Sequence, residues 1–387
     1  MRRPDSLLTP AFVLAWLSSF AHTLALHSYV HLSGYLEGLG ASSVAIGWAF
    51  SFLAIAALAA RPLVGRAMDR HGRRIIILLG AVIHVFACAS YLLIHEMGPL
   101  VYAVRALHGV AEGMLFSALF TYAADIVPDA RRTEGIALFG VSGLLPVALA
   151  GALGDVIITQ HGYRALFLFT IAVAVVALLV SLPLRDIAKP AGMEPARGFV
   201  TTLREPRLMP LWFVGIVFAT SLSTLFIFLK TYMLAEKSGN VGTFFGAFAF
   251  AAVTLRVTLG WLPDRIGALR TLYPSVLALA LGLMLLALNT TTASIIVAGL
   301  LCGIGHGFAF PILAGLVVAR ARPSERGAAM TAFTALFHIG VLAGGPSFGL
   351  IIDAAGYPAA YLVAAAAVVF GAIGFAWLES RRGVVAP

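Results

Sequence analysis

Gly65-Arg66-Ala67-Met68-Asp69-Arg70-His71-Gly72-Arg73-Arg74 decides the reading of this chain, because it joins two long apolar segments and then returns. The second copy is Gly260-Trp261-Leu262-Pro263-Asp264-Arg265-Ile266-Gly267, with Asp264 standing 195 residues after Asp69. It keeps the glycines and the Asp-Arg pair but has Ala268 and Leu269 where the first copy has Arg73 and Arg74. A charged hairpin written twice between apolar stretches points to a duplicated helical membrane bundle.

Composition agrees. With 60% hydrophobic and 11% charged residues, the chain cannot clothe a soluble surface. Twelve stretches, from about 9–36 to about 358–378, reach the roughly 20 apolar residues that a helix needs to cross a bilayer. The first is too long for a signal-peptide core and is expected to be retained. The longest connection, Arg185 to Arg207, leaves no room for a soluble enzyme domain. Phosphate-binding glycine loops and nucleophile motifs are missing, so neither ATP hydrolysis nor covalent catalysis is expected, and no cofactor. Cys88 and Cys302 fall inside apolar stretches and read as small buried hydrophobes.

The formal charge of +9 sorts by side of the membrane. The termini hold Arg2, Arg3, Arg381 and Arg382. Alternate loops hold Arg66, Arg70, Arg73, Arg74, Arg131, Arg132, Arg185, Lys189, Arg197, Arg204, Arg207, Arg265, Arg270, Arg320, Arg322 and Arg326, while the opposite loops have Arg164 and Lys237. Basic residues stay in the cytoplasm during insertion, so both termini are expected there. The basic balance reports topology, not a nucleic-acid partner.

The repeat runs beyond the hairpin. Arg61 corresponds to Arg256, and His108-Gly109-Val110-Ala111-Glu112-Gly113 to Cys302-Gly303-Ile304-Gly305-His306-Gly307. Gly162-Tyr163 corresponds to Gly356-Tyr357. The expected fold is all-α, with twelve transmembrane helices in two six-helix bundles, 1–184 and 208–387. A cytoplasmic linker, 185–207, joins them, and a pseudo-two-fold axis along the membrane normal relates them. Gly140-x-x-Gly143 and Gly340-x-x-x-Gly344-Gly345-Pro346 read as the tightest helix contacts.

The hairpin resembles the loop signature of the major facilitator superfamily, G-x-x-x-D-R-x-G-R-R/K after the second helix, and the first copy matches every fixed position. The resemblance implies a transporter in which helices 1, 4, 7 and 10 line a central cavity, and 3, 6, 9 and 12 face lipid. It also implies a gate that forms between bundles when the cytoplasmic side closes, with Asp69 facing the eleventh helix. The gating candidates are Gly65, Asp69, Arg70, Gly72, Arg73, Asp264 and Arg265, together with Asp125, a carboxylate (like Glu134) available to Arg70 or Arg73. For Arg66 and Arg74 a topological role is the simpler reading.

Charge inside the bilayer is costly, about 2.5–3.5 kcal/mol on insertion scales, so each instance is a functional candidate. Glu112 lies near the middle of the fourth stretch, and steps of three and four put Arg105, His108 and Glu112 on one helix face. The family's fourth helix carries R-x-x-x-G, matched by Arg105 and Gly109, and the resemblance links that motif to proton coupling. Glu112 therefore reads as a proton carrier tuned by Arg105, or else as half of an ion pair that fixes packing.

Seven of the ten histidines fall in apolar stretches: His22, His27, His31, His84, His108, His306 and His338. The substrate-binding candidates are His27, His31, Lys230, His306, Thr331 and His338. Each histidine can equally be a hydrogen-bonded packing residue, and Lys230 can equally snorkel to the headgroups. His84 belongs to a helix expected to face lipid and is left out. Apart from His27-x-x-x-His31 there is no metal-ligand spacing, so no metal site is expected.

The expected activity is secondary transport of a small organic solute across a bacterial inner (plasma) membrane by alternating access. Proton-coupled export is the leading form, because the short linker and lean loops resemble efflux members of the superfamily. The alternative is proton-linked uptake of an anionic metabolite or metal chelate. The protein is expected to be a monomer whose partners are solute, protons and lipid. One departure stands out: Gly143 to Gly151 lacks the Gly-Pro pair of the family's antiporter signature, whereas Gly345-Pro346 has it.

Overall fold

The computed structural model describes residues 7–128, 131–186, 202–322 and 325–381. The side chain of Asp69 and most of the linker lie outside the described residues. Among the described residues, ten helices are long and apolar enough to cross a membrane. Two of them, Arg132–Ser181 and Arg326–Ser380, are broken by a glycine with non-helical backbone, Gly162 (φ 78°) and Gly356 (φ 80°). Each of these makes two passes, so the described residues hold the expected twelve.

We number them α1 (Pro10–Gly38), α2 (Ser43–His71), α3 (Arg73–Ser90), α4 (Pro99–Ile126), α5 (132–161) and α6 (163–181) in the first half. The second half has α7 (Met209–Ala235), α8 (Val241–Leu259), α9 (Ala268–Leu288), α10 (Thr292–Arg320), α11 (326–355) and α12 (357–380). Local chemistry starts several of them. Thr9 accepts the Phe12 N–H in front of Pro10, Asn240 accepts that of Thr243, and Thr291 that of Ser294.

The duplication is written in the backbone. Gly72 (φ 85°) and Gly267 (φ 103°) end the two charged hairpins in the left-handed region, where a side chain would be strained. The same pairing holds for Gly162 and Gly356. It extends to packing: a Cβ on Gly109 would collide with the Leu53 carbonyl oxygen, and one on Gly303 with that of Phe248. Bare glycine thus lets α4 meet α2, and α10 meet α8, backbone to backbone.

The chain forms two compact units, Met1–Ala41 with Phe52–Pro190, and Ser42–Ser51 with Ala191–Pro387. In the first, α1 packs on the α5–α6 helix and α3 on α4. In the second, α7 packs on the α11–α12 helix while α8 and α9 pack on α10.

Two packing expectations change. A Cβ on Gly140 or Gly143 would meet nothing within 4 Å, so that stretch is not a tight contact, whereas Gly340 and Gly344 press on Ala219 and Ser223. And α3 does not turn its whole surface outward: Ile77, Ala81, His84, Ala87 and Cys88 are buried along one side.

Candidate functional site

Arg105, His108 and Glu112 are all buried on α4. Two of them meet through a third residue. Arg105 donates from Nη1 to the Tyr91 hydroxyl at 3.2 Å, and that hydroxyl lies 3.1 Å from His108 Nδ1. Tyr91 caps the C-terminus of α3, so this cluster ties the end of α3 to α4. Glu112, one turn past His108, is close enough to Arg61, His22 and His27 to interact electrostatically with each. The second half repeats the theme. Arg256, the counterpart of Arg61, donates to the carbonyl of Gly307, which follows His306, the counterpart of Glu112.

The substrate candidates separate. His31 is enclosed: Nε2 lies 3.2 Å from the Gly151 carbonyl, Nδ1 lies 3.7 Å from Asp155, and a Cβ on Gly154 would collide with the ring. It packs α1 against α5. His27, one turn earlier, is half-buried near Glu112. Lys230 is 9% exposed in α7, so it does not reach out toward headgroups. His306 is half-buried, with two rings nearly parallel to its own, Phe218 at 6.1 Å and Phe310 at 5.9 Å, and Phe248 at 5.3 Å. Phe337 packs on both Phe218 and Phe310. On α11, Thr331 is exposed and His338 half-buried.

Among the gating candidates, Arg73 Nε meets Asp125 Oδ2 at 2.9 Å. Both residues lie in the first unit, so this pair joins α3 to α4 within one half and is not a contact between bundles. Arg70, Asp264 and Arg265 are exposed, with the Arg265 guanidinium over the Trp261 ring. A Cβ on Gly65 would meet nothing, while one on Gly72 would strike the Asp186 carboxylate. Arg74, expected to serve topology, also has structural partners: its guanidinium donates to the carbonyls of Leu182 and Leu184, and its own N–H donates to Asp186.

Sequence reasoning missed His22, His84, Tyr29 and Tyr91. All are buried side by side with His108, with ring centroids 4.4 Å apart for His22–His84, 4.9 Å for His84–His108 and 5.0 Å for Tyr29–His108. The available signal was the density of histidines in an apolar chain.

Comparison with known proteins fits this architecture. A Major Facilitator Superfamily model matches residues 8–288 and 211–385. Multidrug resistance protein MdtG of Dickeya zeae is 28% identical over 390 residues, covering 95% of this chain and 94% of that protein. Multidrug resistance protein MdtL of Klebsiella pneumoniae is 28% identical over 309 residues, covering 76% and 78%. The crystal structure of the nucleoside transporter NupG superposes with a TM-score of 0.76 at 16% identity, over 95% of this chain and 99% of that one, a likeness of fold. The matches run through both halves, and the chain belongs to the Major Facilitator Superfamily as a multi-pass membrane transporter, not an enzyme.

Proposed function

We propose that this protein exports small organic solutes across the bacterial inner membrane, driven by protons, through alternating access. In this reading it works as a monomer of two bundles, 1–184 and 208–387, with both termini in the cytoplasm. The observation that carries the reading is Glu112, 7% exposed in the apolar span of α4 and within electrostatic reach of Arg61, His22 and His27.

The charge of Arg61 favours the carboxylate in that position as an anion, and protonation removes its desolvation cost. Proton uptake at Glu112 therefore changes how strongly Arg61 is held, which gives an electrical link from α4 to α2. The stacked rings around His306 suit a flat or aromatic solute, and the relatives named for multidrug resistance support export.

The test uses protein reconstituted in liposomes with an imposed pH gradient and a planar fluorescent cation. Glu112→Gln mimics the protonated acid and should abolish gradient-driven accumulation while sparing exchange of the cation down its own gradient. Full gradient-driven transport by that variant would remove Glu112 from coupling.

A second reading, uptake of an anionic metabolite or metal chelate, draws on buried Lys230. Competition of an anionic solute with the planar cation, lost in Lys230→Met, would favour it.

A further inference from the structure

His84 and Cys88 stand one turn apart on α3, and His108 faces them from α4. All three are fully buried, and one donor atom from each lies within 4.8 Å of the others. An ion with bonds of about 2.0 Å to nitrogen and about 2.3 Å to sulfur spaces its ligands roughly 3.3–3.6 Å apart, so a swing of about 1 Å by the imidazoles closes the set.

A second observation points the same way. His22 of α1 sets its ring edge-on against His84, and neither of its nitrogens has a hydrogen-bond partner; His84 Nδ1 and His108 Nε2 also have none. Buried imidazole nitrogens without partners are costly, and an ion that takes one nitrogen from each ligating ring would relieve part of that cost; His84 Nε2 already faces the Cys88 sulfur at 3.8 Å. The surroundings have the form of an outer ligand shell. The other nitrogen of His108, Nδ1, is held by the Tyr91 hydroxyl, which Arg105 holds in turn. The Cys88 thiol lies within hydrogen-bond reach of the Tyr29 and Thr170 hydroxyls. Metal-binding imidazoles are oriented by such partners. A cavity of about 330 Å³, lined by Tyr35, Tyr91, Leu92, His95, Arg164 and Phe167, ends on the same Tyr91.

We propose that Cys88, His84 and His108 form a binding site for a soft monovalent transition-metal ion, Cu(I), with His22 at its edge. Thiolate and imidazole suit soft and borderline ions, and charge decides between them. One thiolate, two neutral imidazoles and Cu(I) sum to zero. Zn(II) would leave a net positive charge beside buried Arg105, where there is little water to solvate it. Binding replaces the Cys88 S–H bond by a sulfur–copper bond, and the thiol proton leaves to bulk water.

The test titrates reduced, full-length protein in detergent with Cu(I), without oxygen and against the chelator bicinchoninate. One equivalent should bind, and the copper absorption edge should show one sulfur neighbour at about 2.3 Å with nitrogen completing the shell. Cys88→Ser should weaken binding at least a hundredfold, and Cys302→Ser should leave it unchanged. Size-exclusion profiles report whether each variant is folded; where Cys88→Ser is not, His84→Asn takes its place with the same expected loss. Absence of stoichiometric Cu(I) binding, or binding by folded Cys88→Ser as tight as the parent's, overturns the site. Retention of Zn(II) in preference to Cu(I) overturns the ion assigned to it.

Discussion

Arg73 Nε and Asp125 Oδ2 meet at 2.9 Å, which pins the first turn of α3 to the last turn of α4 inside one half of the protein. A gate must break when the transporter changes state; a clasp within a rigid bundle need not. Cross-linking Arg73→Cys to Asp125→Cys with a short bis-maleimide should therefore leave transport running. The pair is partly exposed, so a double-mutant cycle of Arg73→Ala and Asp125→Asn should give a coupling of only about 0.2–1 kcal/mol in thermal unfolding. Loss of transport on cross-linking would return the pair to the gate.

The paired glycines make a second prediction. A Cβ on Gly109 or Gly303 meets a backbone carbonyl, which cannot swing aside as a side chain can. Gly109→Ala and Gly303→Ala should each cost about 1–3 kcal/mol through overpacking. Gly140→Ala, with open space around it, should cost nothing or stabilise slightly. Melting temperatures of the three variants in detergent check this, and equal values would mean that the close approaches of α4 to α2 and α10 to α8 relax freely.

These contrasts mark what the sequence could carry. Spans, hairpins and their duplication were legible because bilayer thickness and left-handed glycines leave regular traces, down to the matched Gly162 and Gly356. Facing was not. The run Ile75-Ile76-Ile77-Leu78-Leu79-Gly80-Ala81-Val82-Ile83 on α3 is apolar all round, so nothing in it says which side meets a neighbour. Only packing against α4, α1 and α6 turns His84 and Cys88 inward. Gly140-x-x-Gly143 failed for the same reason, since small residues permit close approach but supply no partner. Asp125 could be named as a mate for Arg73 because few carboxylates exist near that end, whereas the roles of Arg74 and Asp186 depend on how α6 terminates.

His31 gives a third prediction. Its ring fills the space left by Gly154 and reaches the Gly151 carbonyl and Asp155, so it belongs to the seam between α1 and α5. His31→Ala should lower stability by about 2 kcal/mol, from the emptied volume and the lost polar contact. Solute affinity of the folded fraction should not change. A fall in affinity at unchanged melting temperature would restore His31 as a binding residue.

The last prediction concerns the rings around His306. Phe218 and Phe310 lie nearly parallel to the imidazole, 19° and 16° from it, and Phe337 closes on both edge-first. Such an assembly can be a packing cluster or a slot for a flat solute, and the two differ in what they discriminate. An aromatic contact is worth about 0.5–1.5 kcal/mol beyond the area it buries. Phe310→Leu keeps most of the apolar volume but removes the stacking face. It should weaken binding of a planar aromatic solute about 2–13-fold while leaving an aliphatic solute of equal charge untouched. His306→Phe should preserve the stack and bind a neutral planar solute at least as well as the parent. Affinities measured by fluorescence quenching, with melting temperatures alongside, decide the matter. If Phe310→Leu lowers the melting temperature and weakens both solutes alike, the rings hold helices together and the solute binds elsewhere.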